Sequence, residues 1–257
     1  MMPSPDTFPV PLIHINETNS TNNYLQSLCS EQKVEELTVV VADFQTSGRG
    51  QRGNSWESDP GKNLLFSTVI FPEFLEARRQ FLISQVISLA IKEELDTYTT
   101  DISIKWPNDI VINGKKICGI LTEMSAQFDY INHIVIGIGI NVHNESFPEE
   151  LQDHAGSLLL ECGKRVHRAD LIEAFLEEFE RLYAIYLQTE DLSALQEEYD
   201  QLLVNRGRQV RVLDPKEPFE GKAMGITKKG ELIVDTWESR KLVSSGEVSV
   251  RGIYGYV

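Results

Sequence analysis

The chain has 257 residues, 41% hydrophobic and 25% charged, which suits one substantial core and a small second unit. With 39 acidic against 24 basic side chains its formal charge is -15, which argues against a protein that coats nucleic acid or lies on an anionic membrane, so an anion site has to be a local basic island. Cys29, Cys118 and Cys162 stand far apart with neither CxxC spacing nor a disulfide framework, no stretch approaches the ~18 apolar residues of a membrane span, and the five histidines lack metal-site spacing. The expectation is a soluble protein of the reducing cytoplasm with no membrane partner.

In chain order, residues 1 to about 10 carry three prolines and read as an extended arm. Ile13-His14-Ile15 reads as a short strand, and the polar run Asn16 to Asn23 leads into a helix at Tyr24 to Leu28. Ser20 or Thr21 suits the cap of that helix, and the same hydroxyl and amide groups suit a polar, uncharged ligand. A strand over Thr38 to Val41 leads to the loop Gly48-Arg49-Gly50-Gln51-Arg52-Gly53-Asn54-Ser55-Trp56. Three glycines in six residues let a ligand approach the main chain, and two guanidinium forks suit phosphate or carboxylate oxygens. The loop satisfies G-x-G-x-x-G and nearly a P-loop, with Asn54 in the lysine position, but both motifs need a helix next. Here a turn and a strand from Leu64 to Phe71 follow, and the kinase segments HRD and DFG are absent.

Between Glu76 and Tyr98 the apolar spacing predicts an amphipathic helix with one buried stripe. A strand at Ile102 to Lys105 is stopped by Pro107, and Asn113-Gly114 predicts a hairpin between Ile110–Ile112 and Ile117–Leu121. Lys115 reads as a solvated edge charge. Lys116, ahead of an apolar run that pins its stem, is the better ligand for an anion, and Cys118 reads as a small core residue. The strand Ile134 to Val142 carries Gly137 and Gly139, which weaken it unless a neighbouring strand or a ligand approaches there. Asn141 at its end suits either a base edge or a turn cap. Helices follow at Arg168 to about Leu187 and around Leu192 to Leu203. Short strands at 209–212, 221–226, 232–235 and 248–250 then predict a small β-barrel, dividing the chain into units 1–203 and 204–257.

The order Ser20-Thr21-Asn22, Gln45 to Trp56, Lys105-Trp106-Pro107-Asn108-Asp109, Lys116 to Leu121 and Gly137 to Asn141 resembles the biotin protein ligases, enzymes that attach biotin to carboxylase carrier proteins. The resemblance runs from about residue 12 to the C-terminus. Members that also repress transcription begin with a helix-turn-helix domain, for which this chain has no room, so the monofunctional type is expected. The resemblance implies an α+β fold: a mixed β-sheet catalytic domain with packed helices, of biotin/lipoate ligase type, plus a C-terminal SH3-like β-barrel. It also implies ATP, Mg²⁺ and biotin as ligands, biotinyl-5'-AMP as intermediate, and a lysine of a biotin carboxyl carrier protein as acceptor. No nucleic-acid partner is expected, and a homodimer is admitted.

By the same resemblance Ser20, Thr21, Asn22, Gln45, Arg49, Gly50, Gln51, Lys116, Gly119, Gly137 and Gly139 should form the biotin site. Arg52, Trp56, Lys105, Asn108, Asp109 and Asn141 should serve the nucleotide, with Asp109 the tentative Mg²⁺ ligand. Lys116, Arg49 and Arg52 should act on the reacting groups. Family members often have arginine at the positions of Gln51 and Asn54, which leaves Arg49 and Arg52 as the strong cations of the loop. The competing readings are a lipoate or octanoate protein ligase, and a ligand-binding module without catalysis.

Overall fold

A computed structural model describes residues 8–72, 75–127, 130–245 and 249–253, with the side chains of Arg52 and Arg78 outside the description. Residues 1–7 of the expected N-terminal arm and Val248 of the last expected strand also lie outside it. The first unit is a seven-stranded sheet of β1 (Leu12–Thr18), β2 (Val39–Gln45), β3 (Asn63–Ile70), β4 (Ile102–Lys105), β5 (Asp109–Ile112), β6 (Lys115–Gln127) and β7 (Tyr130–Asn141). Their spatial order is β1-β2-β3-β7-β6-β5-β4. Only β1 and β2 run parallel, joined by helix α1 (Thr21–Glu31); every later pair is antiparallel.

Period-two alternation decides which residue meets which helix. Val39 and Val41 face the large core with α2 (Gln80–Leu95) and α4 (Arg168–Thr189), whereas Val40, Val69 and Val135 face Leu25 of α1. With helices on both sides, all eight residues of β3 are buried. Phe66 of β3 meets Phe175 of α4 edge-on at 5.5 Å between ring centroids. The Asn113-Gly114 hairpin is present with φ of 52° and 76°, the paired positive values its two-residue turn requires.

Two expectations about the helices need correction. Helix α1 begins at Thr21, not Tyr24, and Ser20 stands at its N-cap without a side-chain cap bond. Gln45 caps it from β2 instead, its Oε1 accepting from the Thr21 N–H at 2.7 Å. Helix α2 is buried continuously over residues 82–91 rather than along one stripe, because α4 and a turn of the C-terminal sheet cover what the β-sheet does not. The β-rich tail is a five-stranded antiparallel sheet of β8 (Gln209–Leu213), β9 (Phe219–Ile226), β10 (Leu232–Asp235), β11 (Arg240–Val243) and β12 (Ser249–Gly252) in the order β11-β10-β9-β8-β12. Its edge strands β11 and β12 are not paired with each other, so among the described residues the sheet is not a closed barrel.

The two sheets share one core, in which Ile104, Trp106 and Leu203 join Val210, Ala223 and Ile226. Between them lies α5 (Gln196–Leu202), whose Gln196 donates to the Ile226 carbonyl at 2.6 Å and whose Asp200 accepts from the Ile226 N–H at 2.7 Å. Gln85 and the indole N–H of Trp106 both donate to the Gly230 carbonyl, at 2.8 and 3.0 Å. Gly230 has φ of 72°, and a Cβ there would collide with the Gln85 amide. Gly230→Ala is therefore expected to destabilise the protein by about 1–3 kcal/mol. A thermal unfolding midpoint equal to that of the parent would show that this junction yields without cost. No described helix is long and apolar enough to cross a membrane.

Candidate active site

The parallel pairing of β1 with β2 sets Thr18 opposite Gln45, so the start of α1 and the end of β2 arrive at the same edge of the sheet. There they meet the 48–56 loop and the central strands β6 and β7. One cleft is lined by Ser20, Thr21, Asn22, Gln45, Arg49, Gly50, Gln51, Trp56, Asn108, Lys116, Gly119, Gly137 and Gly139, together with Ile120, Leu121 and Ile138. Residues more than a hundred positions apart in sequence are thus gathered in one cleft.

One end of the cleft is neutral and polar. Thr21 Oγ1 lies 3.1 Å from Gln45 Oε1 and 2.7 Å from Ser67 Oγ, which lies 2.6 Å from Asn22 Oδ1. Asn22 Nδ2 donates to Glu123 Oε2 at 2.8 Å and to the Leu121 carbonyl at 3.3 Å. Ser67 and Glu123 were not identified from the sequence. The hydroxyl pair Ser67-Thr68 inside a buried strand, and a carboxylate two residues after the Lys116–Leu121 run, are the signals that mark them.

The floor is made of glycines. A Cβ on Gly137 would collide with the Asn22 amide, while one on Gly139 or Gly119 would stand 2.6 or 2.8 Å from the Trp56 indole. The space those two glycines leave is thus filled by Trp56, whose indole nitrogen is buried without a partner among the described residues. What remains open is about 50 Å³.

The other end is cationic. Lys116 Nζ lies 2.7 Å from Asp109 Oδ1 and 5.4 Å from the centroid of the Trp56 ring. Its main chain is fixed on both sides: Val111 of β5 is its partner in the sheet, its N–H donates to the His154 carbonyl at 2.7 Å, and its carbonyl accepts from Gly156 at 3.0 Å. Behind it Lys105 Nζ lies 4.0 Å from Asp109 Oδ2. Burial pulls the Lys105 ammonium down to about 8, opposed by Asp109 and reinforced by Lys116 and by Arg251 of the second sheet. Arg251 is a further cation near this end that the sequence reading did not select.

Lys105, Asp109 and Asn141 do not line the cleft. Asp109 is held by Lys116, with Lys105 beyond, and Asn141 is buried with its amide committed: Nδ2 donates to the Gly156 carbonyl at 2.9 Å, and Oδ1 accepts from Asn63 at 2.8 Å. The main chain of Arg52 lies in a single 3-10 turn at 51–53, so the loop has no following helix. An Asp109 carboxylate flanked by two ammonium groups does not fit a protein-held Mg²⁺, and the described residues contain no group of three or more His, Cys, Asp or Glu able to hold a metal.

Residues 15–141 match the Biotin/lipoate A/B protein ligase family and residues 207–251 the Biotin protein ligase C terminal domain, which makes the class an enzyme that ligates. The bifunctional ligase/repressor BirA of Bacillus subtilis is 36% identical over 243 residues, covering 93% of this chain and 74% of its own. The biotin--[acetyl-CoA-carboxylase] ligase of Mycobacterium tuberculosis is 27% identical over 240 residues, 91% of this chain and 86% of its own. Among solved structures, the Aquifex aeolicus biotin protein ligase in complex with biotin and ATP superposes with a TM-score of 0.83 at 30% identity, covering 95% of this chain and all of that one. The chain belongs to the biotin protein ligase family.

Proposed function

We propose that this cleft binds biotin and ATP, joins them as biotinyl-5'-AMP with release of pyrophosphate, and passes the biotinyl group to a lysine of a biotin carboxyl carrier protein. The observation that carries this reading is the pairing, in one cleft, of a neutral chain of hydroxyl and amide groups at one end with Lys116 at the other. A ureido ring presents both donors and acceptors without charge, which Thr21, Asn22, Gln45 and Ser67 can match. A carboxylate is a weak nucleophile towards an anionic α-phosphate. The site has to hold the two together and offset the charge that builds between them, the part given to Lys116 and the loop arginines.

About 50 Å³ is far below the roughly 300–1,000 Å³ of an ordinary ligand pocket, so binding displaces the Trp56 indole from its glycine floor. Cys118 is fully buried with its thiol pushed well up by burial, so it supplies no nucleophile and the acyl group goes directly to the acceptor amine. Mg²⁺ arrives on the phosphates of ATP rather than on Asp109. Residues 1–203 form the catalytic unit and 204–257 the C-terminal one, which contributes Arg251 beside Lys105.

Because Lys105 loses its proton near pH 8, the charge behind Lys116 declines above that value and the affinity for the triphosphate falls with it. KM for ATP is expected to rise as pH passes 8 in the parent and to stay level in Lys105→Arg, whose guanidinium keeps its proton. Matching profiles would remove Lys105 from nucleotide binding. The reading as a whole is tested by exchange of labelled pyrophosphate into ATP with biotin, with lipoate, and with no acid. Exchange with biotin alone is expected; exchange with lipoate alone selects the lipoate ligases, and none with either points to a binding module.

A further inference from the structure

Glu123 stands on β6 at the edge of the cleft, and neither the charge of the site nor the binding of biotin requires it. One of its oxygens, Oε2, accepts from Arg49 Nη2 at 2.6 Å and from Asn22 Nδ2 at 2.8 Å. We propose that Glu123 is a positioning residue that couples the 48–56 loop to the polar end of the cleft through this one shared oxygen. The inference rests on the reading of the cleft given above.

The hydrogen bonds form an unbroken chain. Asn22 Oδ1 can only accept, so the single hydroxyl proton of Ser67, 2.6 Å away, is directed to it. Ser67 Oγ in turn accepts from the Thr21 hydroxyl 2.7 Å away, and Gln45 Oε1 accepts from the Thr21 N–H at 2.7 Å. Side chains from β2, α1, β3, β6 and the loop are therefore linked from Gln45 through Glu123 to Arg49. A group that enters the polar end and turns the Asn22 amide also changes what Glu123 offers to Arg49.

The loop passes that change on. It is a small hairpin whose stem pairs Arg49 with Ser55 and in which the Trp56 N–H donates to the Gly48 carbonyl at 2.9 Å. Arg49 and Trp56 thus lie at the same end of one stem. Where Glu123 holds Arg49, it also sets where the indole sits over Gly119 and Gly139. The Arg49 and Glu123 side chains are 41% and 28% exposed, so water weakens their pair as a source of stability and its main effect is on position.

Glu123→Gln separates the two contacts. A glutamine Oε1 still accepts from Asn22, but the side chain no longer offers Arg49 a negative charge. Biotinyl-AMP formed on the enzyme, then chased with excess unlabelled biotin and ATP, is expected to leave E123Q roughly tenfold faster than the parent, as loss of one charge-assisted hydrogen bond predicts. KM for biotin is expected to rise by about the same factor, with KM for ATP at saturating biotin and the thermal midpoint little changed. Arg49→Met breaks the pair from its exposed side and, losing its own contacts to the bound group as well, should release at least as fast, with the double variant no faster than Arg49→Met alone. Parental release from E123Q or from Arg49→Met, or single effects that multiply in the double variant, would overturn the coupling. A parent that forms no biotinyl-AMP refutes the functional reading instead; one that forms it and is matched in release by E123Q refutes only the role of Glu123.

Discussion

Replacing Lys116 with methionine is expected to slow biotinyl-AMP formation by roughly 10²–10³-fold in a single turnover, the cost typical of removing one positioned charge or donor from a developing anion. Methionine keeps the unbranched stem, and the backbone at this position is held by Val111 on one side and by His154 and Gly156 on the other, so the strand should stay in place. What goes is the ammonium group at the cationic end, 2.7 Å from Asp109 and beside the Trp56 ring. Asp109 then loses this partner, which adds net negative charge at the cationic end of the cleft. The measurement is product formed from labelled ATP with enzyme in excess, alongside circular dichroism to show the fold retained. A loss of less than about tenfold would move the main charge-bearing role to the loop arginines.

Glu94 leads to the second large effect, on stability instead of rate. It lies near the end of α2, 5% exposed, and neither carboxyl oxygen has a hydrogen-bond partner among the described residues. Burial pushes this carboxyl well above the ordinary carboxylate range. In the unfolded chain it ionises near 4.5, as a free glutamate does. Below that pH both states hold the proton and the group contributes no pH dependence. Above it the folded state keeps a proton that the unfolded state has lost, so stability declines with rising pH, by about 1.4 kcal/mol per unit, up to the raised folded value. Glu94→Met, similar in volume and without polar atoms, is expected to abolish that slope and to stabilise the protein by about 1–3 kcal/mol at neutral pH. Urea unfolding of both proteins at several pH values from 5 to 8 decides it. Parallel pH dependences in parent and variant would place the titration on another group.

Elements with a local cause were legible in the sequence. The Asn113-Gly114 turn needs only the two positive φ values its residues tolerate, and four of the five tail strands follow from alternation between turn signals, β11 (Arg240–Val243) being the one not read from the sequence. Gly137 and Gly139 announced a close approach without saying of what. The answers, Asn22 and Trp56, come from distant parts of the chain. Asn141 shows the same limit more sharply: its donor and acceptor were visible, but their partners, Asn63 and Gly156, are supplied by the fold. Ser67 and Glu123 left no periodic or turn signature, because their roles exist only where β3 and β6 pass the start of α1. The burial of α2 was underestimated for a related reason, since the spacing of apolar residues cannot count the layers that later pack on them.

The bond from the Trp106 indole to Gly230 bears on how the two ends of this polypeptide can be exchanged. Trp106 sits between Lys105 and Asn108, so the stretch that backs the cationic end of the cleft is tied to a tight bend of the tail. Exchanging that tail for the corresponding segment of a relative would disturb ATP handling unless the graft brought a backbone carbonyl and a side-chain-free residue to the same spot. The terminal segment is thus a template for chemistry it never touches, and chimeras joined near residue 203 are matched by that bend before anything else.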